Sequence, residues 1–98
     1  MRVYLSGPIS GLDYCEAVNN FDKCEAWAKT TFWDCEIVNP MKLNKNERDW
    51  KKCMKKCLNV LIDCDAIVLQ KNWKQSRGAQ IERFIAKKMA MKVYFYEL

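Results

Sequence analysis

The feature that most constrains this chain is an alternation. Short runs rich in β-branched and aromatic residues, Arg2 to Leu5, Cys35 to Val38, Ala66 to Leu69 and Lys92 to Tyr96, are separated by segments whose apolar residues recur at helical spacing. A strand–helix–strand order repeated along the chain implies parallel pairing and right-handed crossovers. The expected fold class is α/β: a doubly wound parallel four-stranded sheet, flavodoxin- or Rossmann-like, of order 2-1-3-4, with helices on both faces. In that order the first and third strands lie side by side where the winding reverses. Ligands in such sheets bind beyond the carboxyl ends of the strands at that point.

The helices can be read from their apolar stripes. Asp13 is placed to cap a first helix carrying Tyr14, Ala17, Val18, Phe21, Cys24 and Ala28 on one face, widened by Trp27 and ending near Thr30 and Thr31. Asn39-Pro40 ends the second strand, and Met41 to Asn46 reads as a loop. Asn44 and Glu47 have the spacing of a capping box. Trp50, Cys53, Met54, Cys57, Leu58 and Leu61 then mark the clearest amphipathic helix, with Lys51, Lys52, Lys55 and Lys56 on its other face. A last helix, from about Gly78 to Met89, is expected to bury Ile81, Ile85, Ala86 and Met89, with Phe84 beside them.

Composition narrows the class. The 98 residues, half of them hydrophobic, are expected to form a single domain spanning 1-98. No apolar run approaches the roughly 20 residues that span a bilayer. The apolar part of Met1 to Leu5 is too short for a secretory signal, so a cytoplasmic location is expected. The net charge of +5 is modest and falls largely on helix faces. It serves either as a solvated surface or as an attraction for anionic substrates. No nucleic-acid motif accompanies it. Histidine is absent and no C-x-x-C pair occurs, so neither a metal nor a cofactor is expected. The six cysteines read as reduced, mostly buried small hydrophobes.

Two loops meet at the switch point. The first is Ser6-Gly7-Pro8-Ile9-Ser10-Gly11, which is either a phosphate-binding turn or an ordinary tight loop, since it lacks the G-x-G-x-x-G spacing. The second, Gln70 to Ser76, leads into the last helix, whose start offers unpaired N–H groups and the positive end of the dipole. Gly78 lets a backbone approach a ligand there. Trp73 either stacks on a base or covers the sheet end, and Tyr14 is similarly open. Glu82, a turn into that helix, is either a solvated carboxylate paired with Arg83 or lysines, or a catalytic group, partly desolvated. Glu82→Ala is expected to leave folding nearly intact, because a surface-facing carboxylate contributes little to stability. Asp65 reads as a loop cap, Asp63 as a marginal site candidate and Cys57 as core.

Tyr4 to Gly11, Asp65-Ala66-Ile67 and Ser76-x-Gly78-x-x-x-Glu82 resemble the nucleoside 2-deoxyribosyltransferase superfamily, in its small bacterial and phage branch of DUF4406 type. The resemblance spans nearly the whole chain. It implies that Glu82 is a nucleophile attacking the anomeric carbon of a deoxyribosyl group, with Tyr4 orienting it, and that another base or water resolves the glycosyl-enzyme. It implies that the loop from Ser6 to Gly11 (Ser6, Gly7, Pro8, Ile9, Ser10, Gly11), together with Ser76 and Gly78, holds substrate, a 5′-phosphate in the nucleotide hydrolases of the superfamily. The implied partner is a small-molecule nucleoside or nucleotide, with no nucleic acid and no membrane, and the chain is expected to be a homo-oligomer. Two positions depart from the pattern. Cys57 stands where relatives carry an aspartate that handles the proton of the leaving base, and Ser10 stands where the nucleotide hydrolases carry an arginine. The C-terminal segment by which transferases complete a neighbour's site has no counterpart. A binding module that kept the pocket and lost the chemistry is therefore the alternative to an enzyme.

Overall fold

The computed structural model describes residues 1–96. Arg2–Ser6 (β1), Glu36–Val38 (β2), Ala66–Gln70 (β3) and Lys92–Tyr96 (β4) form a parallel sheet in the order β2-β1-β3-β4, as the alternation implies. Every residue of β3 is buried, and so is all of β1 beyond Arg2, as befits central strands covered on both faces. The two-residue period of the strands sorts their side chains. Val3, Leu5, Ala66 and Val68 pack on Phe21, Cys24 and Ala28 of the helix Tyr14–Thr31 (α1). Tyr4, Ile67 and Leu69 face the other way, onto Cys57 and Leu61 of the helix Trp50–Leu61 (α3) and Ala86 of the helix Arg77–Lys88 (α4). Ser6 shares the parity of Tyr4, so both side chains leave the sheet toward α4.

Three local expectations are corrected. Where a loop was expected, Pro40–Leu43 form a short helix (α2). The proline that ends β2 begins α2, since the first helical position needs no donor, and Asn39 Oδ1 accepts from Met41 N at 3.0 Å. The capping box at Asn44 and Glu47 does not form. Asn44 is occupied in closing α2, its N–H bonding Pro40 O at 2.9 Å, and α3 is capped by Asp49, which accepts from Lys51 N at 2.9 Å. The third concerns α4, which turns Ala79, Glu82 and Ala86 inward. Ile81 and Ile85 are only half-buried, and Phe84 and Met89 are 57% and 53% exposed. Small residues at the contact let this helix lie close to the sheet, and the longer side chains are displaced to its flanks. The cysteines are all reduced; Cys24, Cys57 and Cys64 are buried, but Cys15 is exposed at the start of α1.

One polar cluster fixes α2. A four-residue helix is too short to hold itself. Glu25 of α1, nearly buried, accepts from Asn39 Nδ2 at 3.0 Å and pairs with Lys42 at 3.1 Å and Lys29 at 2.9 Å. Burial alone raises a carboxyl's pKa; here the hydrogen bonds from Lys29, Asn39 and Lys42 outweigh it and hold Glu25 down at about 2. Asn39→Ala removes the cap of α2 and leaves an acceptor of Glu25 unpaired. The expected loss of stability is about 1–3 kcal/mol in a denaturant titration, against little change for Asn20→Ala on the exposed face of α1.

Candidate active site

Glu82 is 6% exposed. Tyr4 Oη donates to its Oε2 at 2.5 Å and Ser6 Oγ donates to its Oε1 at 2.7 Å. The arrangement follows from strand parity, because two alternate residues of β1 leave the sheet under the same turn of α4 and each meets one carboxylate oxygen. Both donors are fully buried. Burial pushes the Glu82 carboxyl from its ordinary 4.5 up to about 7, with the bonds from Tyr4 and Ser6 pulling against the shift. The Tyr4 phenol is itself pushed well up, first by burial and then by the negative charge of Glu82, so it remains a donor. Of the two arrangements open for Glu82, the desolvated one is present; it forms no ion pair among the described residues.

Glu82 forms part of the wall of a cavity of about 400 Å³ between the Ser6–Gly11 loop, α2, α3 and the start of α4. Gly7, Ile9 and Ser10 line it from the loop, and Ser76 and Gly78 from α4. Ser6 does not line it; its hydroxyl is committed to Glu82 beneath the surface. Pro8 turns to the opposite side of the loop. Gly11 also lies outside the lining and serves the turn, at φ +87°. Ser76 caps α4, accepting from Ala79 N at 3.2 Å. The space at Gly78 is taken on one side by α3: a Cβ there would meet Met54 Sδ at 3.1 Å.

Trp73 is not at the cavity. It lies in the 3₁₀ turn Trp73–Gln75, packed against the core on the α3–α4 face with the Arg83 guanidinium 5.7 Å from its ring centre. The aromatic wall comes instead from Trp50, the first residue of α3, with the Arg77 guanidinium 4.7 Å from its ring centre, and from Tyr14, the first residue of α1. The signal for Trp50 was available. In a parallel βα sheet every crossover helix starts at the carboxyl edge, so its first residue stands beside the ligand loops. Counting Trp50 into the apolar stripe concealed this.

Cys57 is both core and site. It is 4% exposed, lines the cavity, accepts from Asn44 Nδ2 at 3.1 Å and neighbours Tyr4 and Glu82. Burial raises its thiol pKa, so it stays a neutral thiol. Asp63 and Asp65 lie at the other end of the sheet, where Asp65 Oδ2 accepts from Arg2 N at 2.8 Å; the loop-cap reading holds for Asp65.

The buried carboxyl has a consequence for stability. Its folded pKa of about 7 lies above the ordinary 4.5, so the folded state holds this proton more tightly than the unfolded chain. Stability is fully present below 4.5 and is lost as pH rises to about 7, by about 3 kcal/mol. Glu82→Gln should flatten this dependence and be the more stable protein above pH 7 in denaturant titrations across pH 4.5–8. This replaces the expectation that the carboxylate is a solvated group indifferent to folding.

A solved structure of a "2-desoxiribosyltransferase from Leishmania mexicana" is similar to this chain with a TM-score of 0.69 at 18% identity, over 98% of this chain and 63% of that one. The chain thus spans less than two thirds of that protein, and at this identity the likeness establishes the fold. No curated protein matches the sequence. A family model described as "Domain of unknown function (DUF4406)" matches residues 1–95. The chain belongs to the DUF4406 family and has a nucleoside 2-deoxyribosyltransferase-like fold.

Proposed function

We propose that the protein cleaves or transfers the N-glycosidic bond of a nucleoside or nucleotide, with Glu82 as the nucleophile. The observation that carries this reading is the Glu82 carboxylate, held by Tyr4 and Ser6 at the wall of the cavity. Those two bonds fix both oxygens, and the fixed geometry replaces part of the entropy cost of an attack. In the reaction a carboxylate oxygen bonds to the anomeric carbon as the carbon–nitrogen bond breaks. The base departs with the electron pair and takes up a proton. Water or a second base then displaces Glu82 from the same carbon, which restores the carboxylate.

The rest of the cavity suits such a substrate. Trp50 and Tyr14 offer faces for a base. Gly7 and Ser10 in the loop, with Ser76 and Gly78 at the start of α4, suit the sugar and any 5′-phosphate, and Arg48 and Arg77 add positive charge at the cavity. The leaving base finds no carboxylic acid at position 57. The neutral thiol of Cys57 is a poor proton donor, so the base is protonated from solvent or must leave without help. That same substitution favours the second reading, a module that binds a nucleotide and does no chemistry. The expected homo-oligomer belongs to this proposal: Ile9, Tyr14 and Trp50 leave apolar surface exposed at the cavity, which a second copy would cover. Sedimentation as a monomer would count against it.

Incubation with a panel of deoxynucleosides and their 5′-monophosphates, followed by chromatography for free base, separates the readings. Base release that disappears in Glu82→Gln supports the enzyme; a thermal shift with the same ligands and no release supports the binding module. Only ionised Glu82 attacks, so kcat/KM should rise with pH through about 7 and then level off. Tyr4→Phe removes a bond that favours the ionised form and should move that midpoint upward while lowering the plateau.

A further inference from the structure

Glu47 lines the Glu82 cavity from the segment between α2 and α3, where it is half-buried. Its Oε1 accepts from the backbone N–H of Arg48 and of Asp49, each at 3.1 Å. Its backbone carbonyl takes the Cys53 thiol at 3.6 Å, which holds the residue over the first turn of α3, the turn that Trp50 opens. One oxygen is therefore pinned, and the swing of the carboxylate is restricted. The other oxygen, Oε2, takes no hydrogen bond and no ion pair among the described residues. Nor is it enclosed, so it keeps accessible surface.

Nothing else in the wall offers the same group. Glu82 is the other carboxylate at the cavity among the described residues, and Tyr4 and Ser6 occupy both of its oxygens. Asn44 gives its Nδ2 to Cys57, and its Oδ1 is enclosed. Arg48 and Arg77 only donate. An ionised carboxylate only accepts. It makes a charge-assisted bond to an N–H and repels a carbonyl oxygen or a ring nitrogen set against it. A base edge that meets Glu47 is thus sorted by whether it carries a donor or an acceptor.

We propose that Glu47 selects the base, favouring one whose edge carries an amino group, with Oε2 accepting from that group while the base lies against Trp50. The inference rests on the nucleoside reading of the cavity and deepens it. It concerns recognition alone and needs no chemistry at Glu82, so it holds equally for an enzyme and for a binding module.

The test measures Kd by calorimetry for matched pairs that differ by one amino group: 2′-deoxyguanosine against 2′-deoxyinosine, and 2′-deoxyadenosine against purine 2′-deoxyriboside, each also as its 5′-monophosphate. The full chain carries Glu82→Gln, so that no ligand is consumed. In at least one pair the amino-bearing member should bind about tenfold tighter, the scale of one hydrogen bond to a charged group. Adding Glu47→Gln supplies an amide of nearly the same shape. The Arg48 and Asp49 N–H groups then select the amide oxygen, as they now select Oε1, and the NH2 is left to face the cavity, a donor against a donor. The preference should vanish or reverse while the amino-free ligands still bind, a result that a merely structural role for Glu47 does not produce. Equal affinities within both pairs, or a preference undiminished by Glu47→Gln, overturns this inference and leaves the nucleoside reading standing. Binding of none of these ligands overturns that reading as well.

Discussion

The structure depends on a carboxylate held out of water by two hydroxyls from one strand. Glu82 could have been paired with a lysine at the surface, where it would have contributed little. Instead α4 turns it toward the sheet, and Tyr4 and Ser6 meet its two oxygens. Burial and hydrogen bonding act in opposite directions on its charge, and burial prevails, so the group titrates near neutrality. A group of this kind weakens the fold at the pH where it ionises. Such a conflict between local stability and a convergent polar geometry is expected at sites that do something.

Much of this was legible in the chain. Four apolar runs and the helical stripes between them were enough for the strand order, because right-handed crossovers leave few alternatives. The pairing of Tyr4 with Glu82 was anticipated from the family resemblance, and parity in β1 explains why it forms. Ser6 was assigned to ligand and is instead a support for Glu82. That error has a simple origin: the last residue of a strand and the first of a loop look alike in sequence, yet only the strand residue obeys the two-residue alternation. Trp73 and Trp50 were exchanged for a related reason. Trp73 follows a ligand strand directly, but the 3₁₀ turn rotates it onto the core, while Trp50 occupies a helix start at the carboxyl edge.

What escaped the sequence was mostly polar and short-ranged. Asn39 reads as a strand terminator beside a proline, and nothing in the linear pattern shows that its amide also reaches Glu25 on another element. The stripe on α4 was misjudged because hydrophobicity alone was used to choose its inner face. A helix lying close to a sheet selects small residues at the contact, so Ala79 and Ala86 go inward with Glu82 between them, and Phe84 stays out.

The clamp that holds α2 sets a condition on how the pocket behaves in acid. Glu25 loses its charge only near pH 2, whereas Glu82 takes up its proton near neutrality. Between those limits lies a wide acidic interval in which Met41 and Asn44 still stand in the cavity wall although Glu82 has become neutral. The molecule therefore separates shape from charge: mild acidification leaves a hollow whose contours persist after the carboxyl in its wall has been neutralised.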